Sequence, residues 1–184
     1  VIDVRAAFPE LVGPVVAMVE LRDGGFGLLD AAGERIYAIR ADGARHRFYG
    51  ANGVIDLGPI LSGTAVIGRG FALLASGSLA VIDADSDRIY VFTREGILDG
   101  NVGGGKGWVD FRGVEAIAGG GNATGLSDVL GVLGSSLLVA DEQTRIFYAL
   151  TSGGGFSSQS AANVVPNLAG ALAPIDADRF FYLD

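Results

Sequence analysis

The chain has 184 residues, 49% of them hydrophobic, with 30 glycines, no cysteine and a net charge of −8. That is enough apolar material for one substantial core, and it excludes disulfides, thiolate metal sites and cysteine nucleophiles. The acidic balance opposes nucleic-acid binding, because the 13 basic residues, one of them a lysine (Lys106), form no dense block.

No apolar run approaches the roughly 18–20 residues of a membrane helix, so no transmembrane segment is expected. The first residue is Val1, with no charged-plus-apolar leader. This reads as a processed mature form or as a piece of something longer, and it leans the expected location towards outside the cytoplasm.

Val1 to Arg5 alternates and is read as a short strand, after which Pro9, Gly13 and Pro14 interrupt the chain. Val15 to Leu21, Phe26 to Asp30 and Arg35 to Arg40 follow as strands, with a turn at Arg22 to Gly25 and another at Asp42-Gly43. Arg45 to Tyr49 is expected as the outer fourth strand. A second set runs through Phe71 to Leu74, Leu79 to Asp83, Arg88 to Thr93 and a weak outer strand at Ile97-Leu98. The third has Val129 to Leu133, Leu137 to Asp141, Arg145 to Thr151 and an outer piece near Phe156. The fourth offers Ala169 to Ala173 and Phe180 to Asp184. Gly100 to Gly107 and Ala118 to Gly125 are read as glycine-rich connections between sets.

The clearest unit is Leu79 to Phe92, an apolar run into Asp83, a polar corner, then Arg88-Ile89-Tyr90-Val91-Phe92. It reads as a β-hairpin. The repeat aspartates Asp30, Asp83, Asp141 and Asp184 recur at intervals of 53, 58 and 43 residues, near the roughly 40–50 residues of propeller blades. The expectation is an all-β fold: a β-propeller of about four blades, or part of a larger propeller, made of four-stranded antiparallel meander sheets. One domain covers 1–184, with repeats at about 11–58, 59–110, 111–165 and 166–184. Residues 1–10 are expected to complete the last blade and close the ring.

Asp83 and the Arg88-Ile89-Tyr90-Val91-Phe92 run with Gly96 resemble the NHL-type propeller repeat, over about 15 residues in each of three copies. The resemblance implies the propeller and says almost nothing about activity, because rings of this kind include lyases, hydrolases, RNA-binding modules and scaffolds.

Asp83, Asp85 and Asp87 alternate as oxygen ligands do in calcium loops, although the expected glycine and the acidic twelfth position are missing. The other reading is a hairpin corner in which Asp83 accepts hydrogen bonds from its own turn. Gly100 to Lys106 matches a phosphate loop only as far as its lysine, since Gly107 and a strand follow where Ser or Thr and a helix are needed. His46, the one histidine, is read as an exposed edge residue. With Arg45 and Arg47 it forms a candidate partner-binding patch on an acidic protein. Arg35, Arg88 and Arg145, repeated in every copy, are read as structural, and Tyr37, Tyr90 and Phe147 as filling between blades. Asn122-Ala123-Thr124 fits a glycosylation acceptor.

Without a convergent nucleophile, base and metal set, the leading expectation is a non-catalytic binding or assembly module. It would present propeller loops to a protein or glycan partner, as a homo- or hetero-oligomer. The alternative is a propeller-type hydrolase or lyase with a calcium ion held by carboxylates such as Asp83 and Asp141.

Overall fold

The computed structural model describes residues 2–30, 32, 34–61, 67–83, 86–111, 126–133, 136–141, 147–150, 156–157, 171–174 and 180–183. The first sheet comprises β1 (Val15–Glu20), β2 (Phe26–Asp30), β3 (Arg35–Ile39) and β4 (Val54–Asp56). The second comprises β5 (Ile67–Leu73), β6 (Leu79–Asp83), β7 (Arg88–Phe92) and β8 (Trp108–Asp110). The third holds β9 (Leu126–Leu133), β10 (Ser136–Asp141), β11 (Phe147–Leu150) and β12 (Phe156–Ser157). Finally β13 (Ala171–Pro174) pairs with β14 (Phe180–Leu183).

Every sheet is an antiparallel meander in chain order. The first strands β1, β5, β9 and β13 contact one another in that order, which is how blades stand around a propeller axis. The all-β propeller is the fold. Among the described residues no helix is long and apolar enough to cross a membrane.

The sheets are held by face-to-face packing. Leu29, Ile36, Ala38 and Ile55 on one side of the first sheet meet Phe71, Leu79, Val81, Tyr90 and Phe92 of the second. The second sheet's other side, including Ile82, Ile89 and Val91, meets Leu137 and Val139 of the third. A middle strand covered on both sides must be apolar on both, so every residue of β6 is buried. That is why Leu79 to Asp83 is a continuous run and not an alternation.

The repeat hairpin is tied down by its own corner. Asp30 pairs in register with Arg35, and Asp83 with Arg88. The residue before each arginine is left-handed, Glu34 at φ 49° and Asp87 at φ 52°. Its carbonyl accepts the amide of the residue that follows the outer strand, Leu57 or Phe111, at 2.8 Å in both blades. Leu57 and Phe111 are thereby plugged into the core. The repeat arginine faces the outer strand: Arg35 lies opposite Asp56 and Arg88 opposite Asp110, with the Arg88 guanidinium 4.3 Å from the Trp108 ring centre.

Four expected elements come out differently. Val1 to Arg5 is not a strand: its described part leads into α1 (Val4–Ala7), because Asp3 accepts the Ala6 amide and Phe8 N donates to Val4 O, an N-cap ahead of two good helix formers. Among the described residues this segment pairs with no strand of the fourth sheet. Phe8 and Leu11 pack instead on Leu28, Tyr37 and Ile39 of the first sheet, and among the described residues β13 makes no comparable contact with β1.

Arg45 to Tyr49 is not the outer strand either. Only Arg45 bridges to Ile39; then Tyr49 N donates to His46 O at 3.1 Å, and Asn52 and Gly53 turn the chain through positive φ before β4 begins. In the second blade Leu98 makes the corresponding bridge to Phe92, and Trp108–Asp110 forms the edge. Gly100 to Gly107 therefore lies inside a blade, between its third and fourth strands, and does not connect two blades. Ala118 to Gly125, Asn122-Ala123-Thr124, Arg145 and Asp184 lie outside the described residues.

Candidate functional site

In the first two blades the segment between third and fourth strands is built on one frame. In the first blade His46 N donates to Ala38 O at 2.8 Å and Tyr49 N to His46 O; in the second, Asp99 N donates to Val91 O at 2.8 Å and Val102 N to Asp99 O. His46 and Asp99 thus occupy one position, and each reaches the turn between the first two strands of its own sheet. Asp99 Oδ2 accepts the Ser78 hydroxyl at 2.8 Å, while its Oδ1 accepts both amides of Asn101. His46 Nε2 lies 2.7 Å from Asp23 Oδ2. The frame is repeated, and its chemistry is not.

Burial pushes the Asp99 carboxyl up, but the Ser78 hydroxyl and the Asn101 amides outweigh it and hold the group below its usual range. A carboxyl lowered by folding stabilises the fold above its unfolded value, and that contribution disappears as pH falls through the folded value. Urea unfolding from neutral pH down to about 3 is expected to show part of the acid-induced loss, and Asp99→Asn should flatten that part. Superimposable pH profiles for the two chains would contradict it.

His46 is not an exposed edge residue: it is 4% exposed. Its ring stands edge-on to Tyr49, with centres 5.0 Å apart and planes at 88°. Burial also pushes the Tyr49 hydroxyl up. A carboxylate can only accept, so the hydrogen between His46 and Asp23 sits on Nε2; Nδ1 is buried with no hydrogen-bond partner among the described residues. Asp23, by contrast, is about half exposed, at 46% of its side chain.

Of the expected patch Arg45, His46 and Arg47, one cation is left without an ion-pair partner among the described residues. Arg45 Nε donates to Ala7 O at 2.7 Å, its Nη2 reaches Glu10 at 2.8 Å, and its guanidinium stands 4.7 Å from the Phe8 ring centre. It is a clasp between the loop and the N-terminal segment. Arg40 is paired with Asp42 at 2.5 Å. Arg47 has no ion-pair partner among the described residues, and the neighbouring Phe48 is 78% exposed. Asp23, Arg40, His46, Arg47, Phe48 and Asn52 line an open depression of about 1040 Å³. Asp23 is the member that sequence reasoning missed, since it sits in another turn and no motif spacing links it to His46.

The calcium candidates fare differently. The Asp83 carboxylate is 4% exposed and accepts the Ser86 hydroxyl at 2.5 Å and its amide at 3.4 Å. This is the hairpin-corner arrangement. Asp87 is the left-handed corner residue, Asp85 lies outside the described residues, and no cluster of three metal-ligating side chains occurs among the described residues.

The fold and this depression define a β-propeller carrying an Asp–His pair on one blade. No protein-family model matches the chain, and no curated protein matches it in sequence. Solved structures do. Virginiamycin B lyase from Staphylococcus aureus superposes with a TM-score of 0.57 at 13% identity, over 90% of this chain and 47% of that one. A streptogramin B lyase gives 0.55 at 14% identity, over 90% and 46%. A catalytically inactive histidine-to-alanine variant of the Staphylococcus aureus lyase, with quinupristin, gives 0.55 at 13%, over 94% and 49%. The chain spans about half the length of these structures, and identity this low speaks for the fold alone. The leading expectation of a non-catalytic binding or assembly module is corrected on this point: the propellers whose fold the chain shares are named as lyases.

Proposed function

We propose that the chain belongs to a propeller-type lyase and that the depression on its first blade handles the proton. A lyase reaction requires a base to remove a proton and a group to steady the charge that develops. Asp23 presents a half-exposed carboxylate to the depression, where it takes up the substrate proton, and the His46 N–H behind it holds that carboxylate in place. Arg47 is the cation for a carbonyl or carboxylate of the substrate, and Phe48 is the apolar shelf beside it.

The observation that carries the reading is the pair itself. On a frame used twice, the second blade places the self-satisfied Ser78–Asp99 contact, whereas the first places an imidazole against an exposed carboxylate. The NHL-type reading of the repeat belongs to this proposal, supported by the Asp83–Arg88 register. Calcium takes no step in it, because the Asp83 oxygens are engaged by Ser86.

The test is incubation of the chain with quinupristin in water labelled at oxygen, with and without a calcium chelator. Products that carry no label, formed at the same rate in both, are expected. Labelled products would make the protein a hydrolase, and an untouched substrate would remove the lyase reading.

A further inference from the structure

The residue before His46 is fixed differently in the first two blades. Arg45 bridges to Ile39 in the first and Leu98 to Phe92 in the second, so the two hold one position. Leu98 is secured by apolar packing, partly buried against the core between the sheets. Arg45 reaches out of its own sheet to the N-terminal segment.

That segment has a seat of its own. Phe8 is fully buried with its ring 4.9 Å from that of Tyr37, and Leu11 belongs to the same cluster. The Tyr37 hydroxyl donates to Glu10 O at 3.1 Å. Ala7 O and Glu10, on either side of Phe8, are therefore held by the sheet, and Arg45 spans them with Nε on one and Nη2 on the other. A planar guanidinium can serve two acceptors and cover an aromatic face at once. Burial pushes the Glu10 carboxyl up, but its own backbone amide and the Arg45 guanidinium outweigh it and hold the group below its usual range. Ile2 meets the turn ahead of Arg45, its side chain 3.7 Å from where a Cβ on Gly43 would stand.

We propose that Arg45 is a positioning residue. Its clasp on Ala7 O, Glu10 and the Phe8 ring sets the backbone that carries His46 and Arg47, and so keeps the His46 N–H against Asp23, a role that rests on reading that pair as the group that handles the proton. The imidazole needs such support, because its Nδ1 is buried without a hydrogen-bond partner among the described residues and no second hydrogen bond orients the ring.

His46 is the one histidine, so its imidazole gives a single NMR signal, and exchange of its Nε2–H with water reads how firmly the ring is held, with no substrate present. Arg45→Leu, which matches the second blade, is expected to speed that exchange at least about tenfold in a chain that still melts cooperatively. Arg45→Lys keeps the charge and loses the fork. It should restore part of the protection and, with quinupristin, part of the rate lost in Arg45→Leu. Glu10→Gln weakens one partner and leaves the seat of Phe8 intact, and it should give a smaller acceleration in the same direction. Arg5→Leu, at an exposed position of α1, should change nothing. Exchange at the wild-type rate in folded Arg45→Leu and Glu10→Gln chains overturns the proposal, as does an effect confined to the melting temperature. A wild-type chain that leaves quinupristin untouched removes the lyase reading, and the exchange rates then decide on the clasp alone.

Discussion

Phe92→Ala is expected to lower the unfolding free energy by about 3–5 kcal/mol, while Phe48→Ala leaves it within about 0.5 kcal/mol. The two residues are the same type and differ in what surrounds them. Phe92 is fully buried in the junction between the first and second sheets, among Leu79, Tyr90 and the first sheet's apolar side. Removing its ring loses the transfer energy and leaves a void that two stiff sheets cannot collapse into. Phe48 is 78% exposed. Urea denaturation of both variants checks the contrast, and comparable losses would mean that the sheets do not stack as described.

Gly50→Ala is expected to cost about 3 kcal/mol, against less than about 0.5 kcal/mol for Gly100→Ala. Gly50 has φ 51°, and its amide donates to Arg94 O at 2.6 Å, a backbone link from the first blade's loop to the second's. A Cβ there would fall inside contact distance of Val54 O, a backbone atom that cannot turn aside as a side chain would. At Gly100 nothing lies within 4 Å of an added Cβ, and φ is not in the left-handed region. Thermal melts of the two variants decide it: equal melting temperatures would show that the loop frame does not require Gly50.

The inner strands and the hairpin between the second and third strands are legible because burial writes them. Leu79–Asp83 and Arg88–Phe92 are covered on both faces, and the aspartate and arginine that bound the corner face each other in register. The outer strands β4 and β8 are three residues long and carry little pattern. Their position is fixed by a hydrogen bond from Phe111 or Leu57 to a left-handed corner residue far away in sequence. Arg45 to Tyr49 reads as an edge strand, yet the bond from Tyr49 N to His46 O within it curls it into a loop. Flanking arginines made His46 look solvated, whereas Tyr49 and Asp23, brought from the loop and from another turn, enclose it. Asp23 itself is invisible until the two blades are compared, when His46 is seen to hold the place of Asp99.

The most direct test of the account is the rate of proton-dependent turnover after Asp23→Asn and His46→Gln, with the folded state of each variant verified by its melting curve. Asp23→Asn keeps a hydrogen-bonding side chain and removes the proposed base. The expected result is a rate loss of about 10²–10⁴-fold for Asp23→Asn and a smaller loss for His46→Gln, with Phe48→Ala acting mainly on KM. Full activity in a folded Asp23→Asn chain would contradict the account and leave the Asp23–His46 pair as a structural tie like Ser78–Asp99.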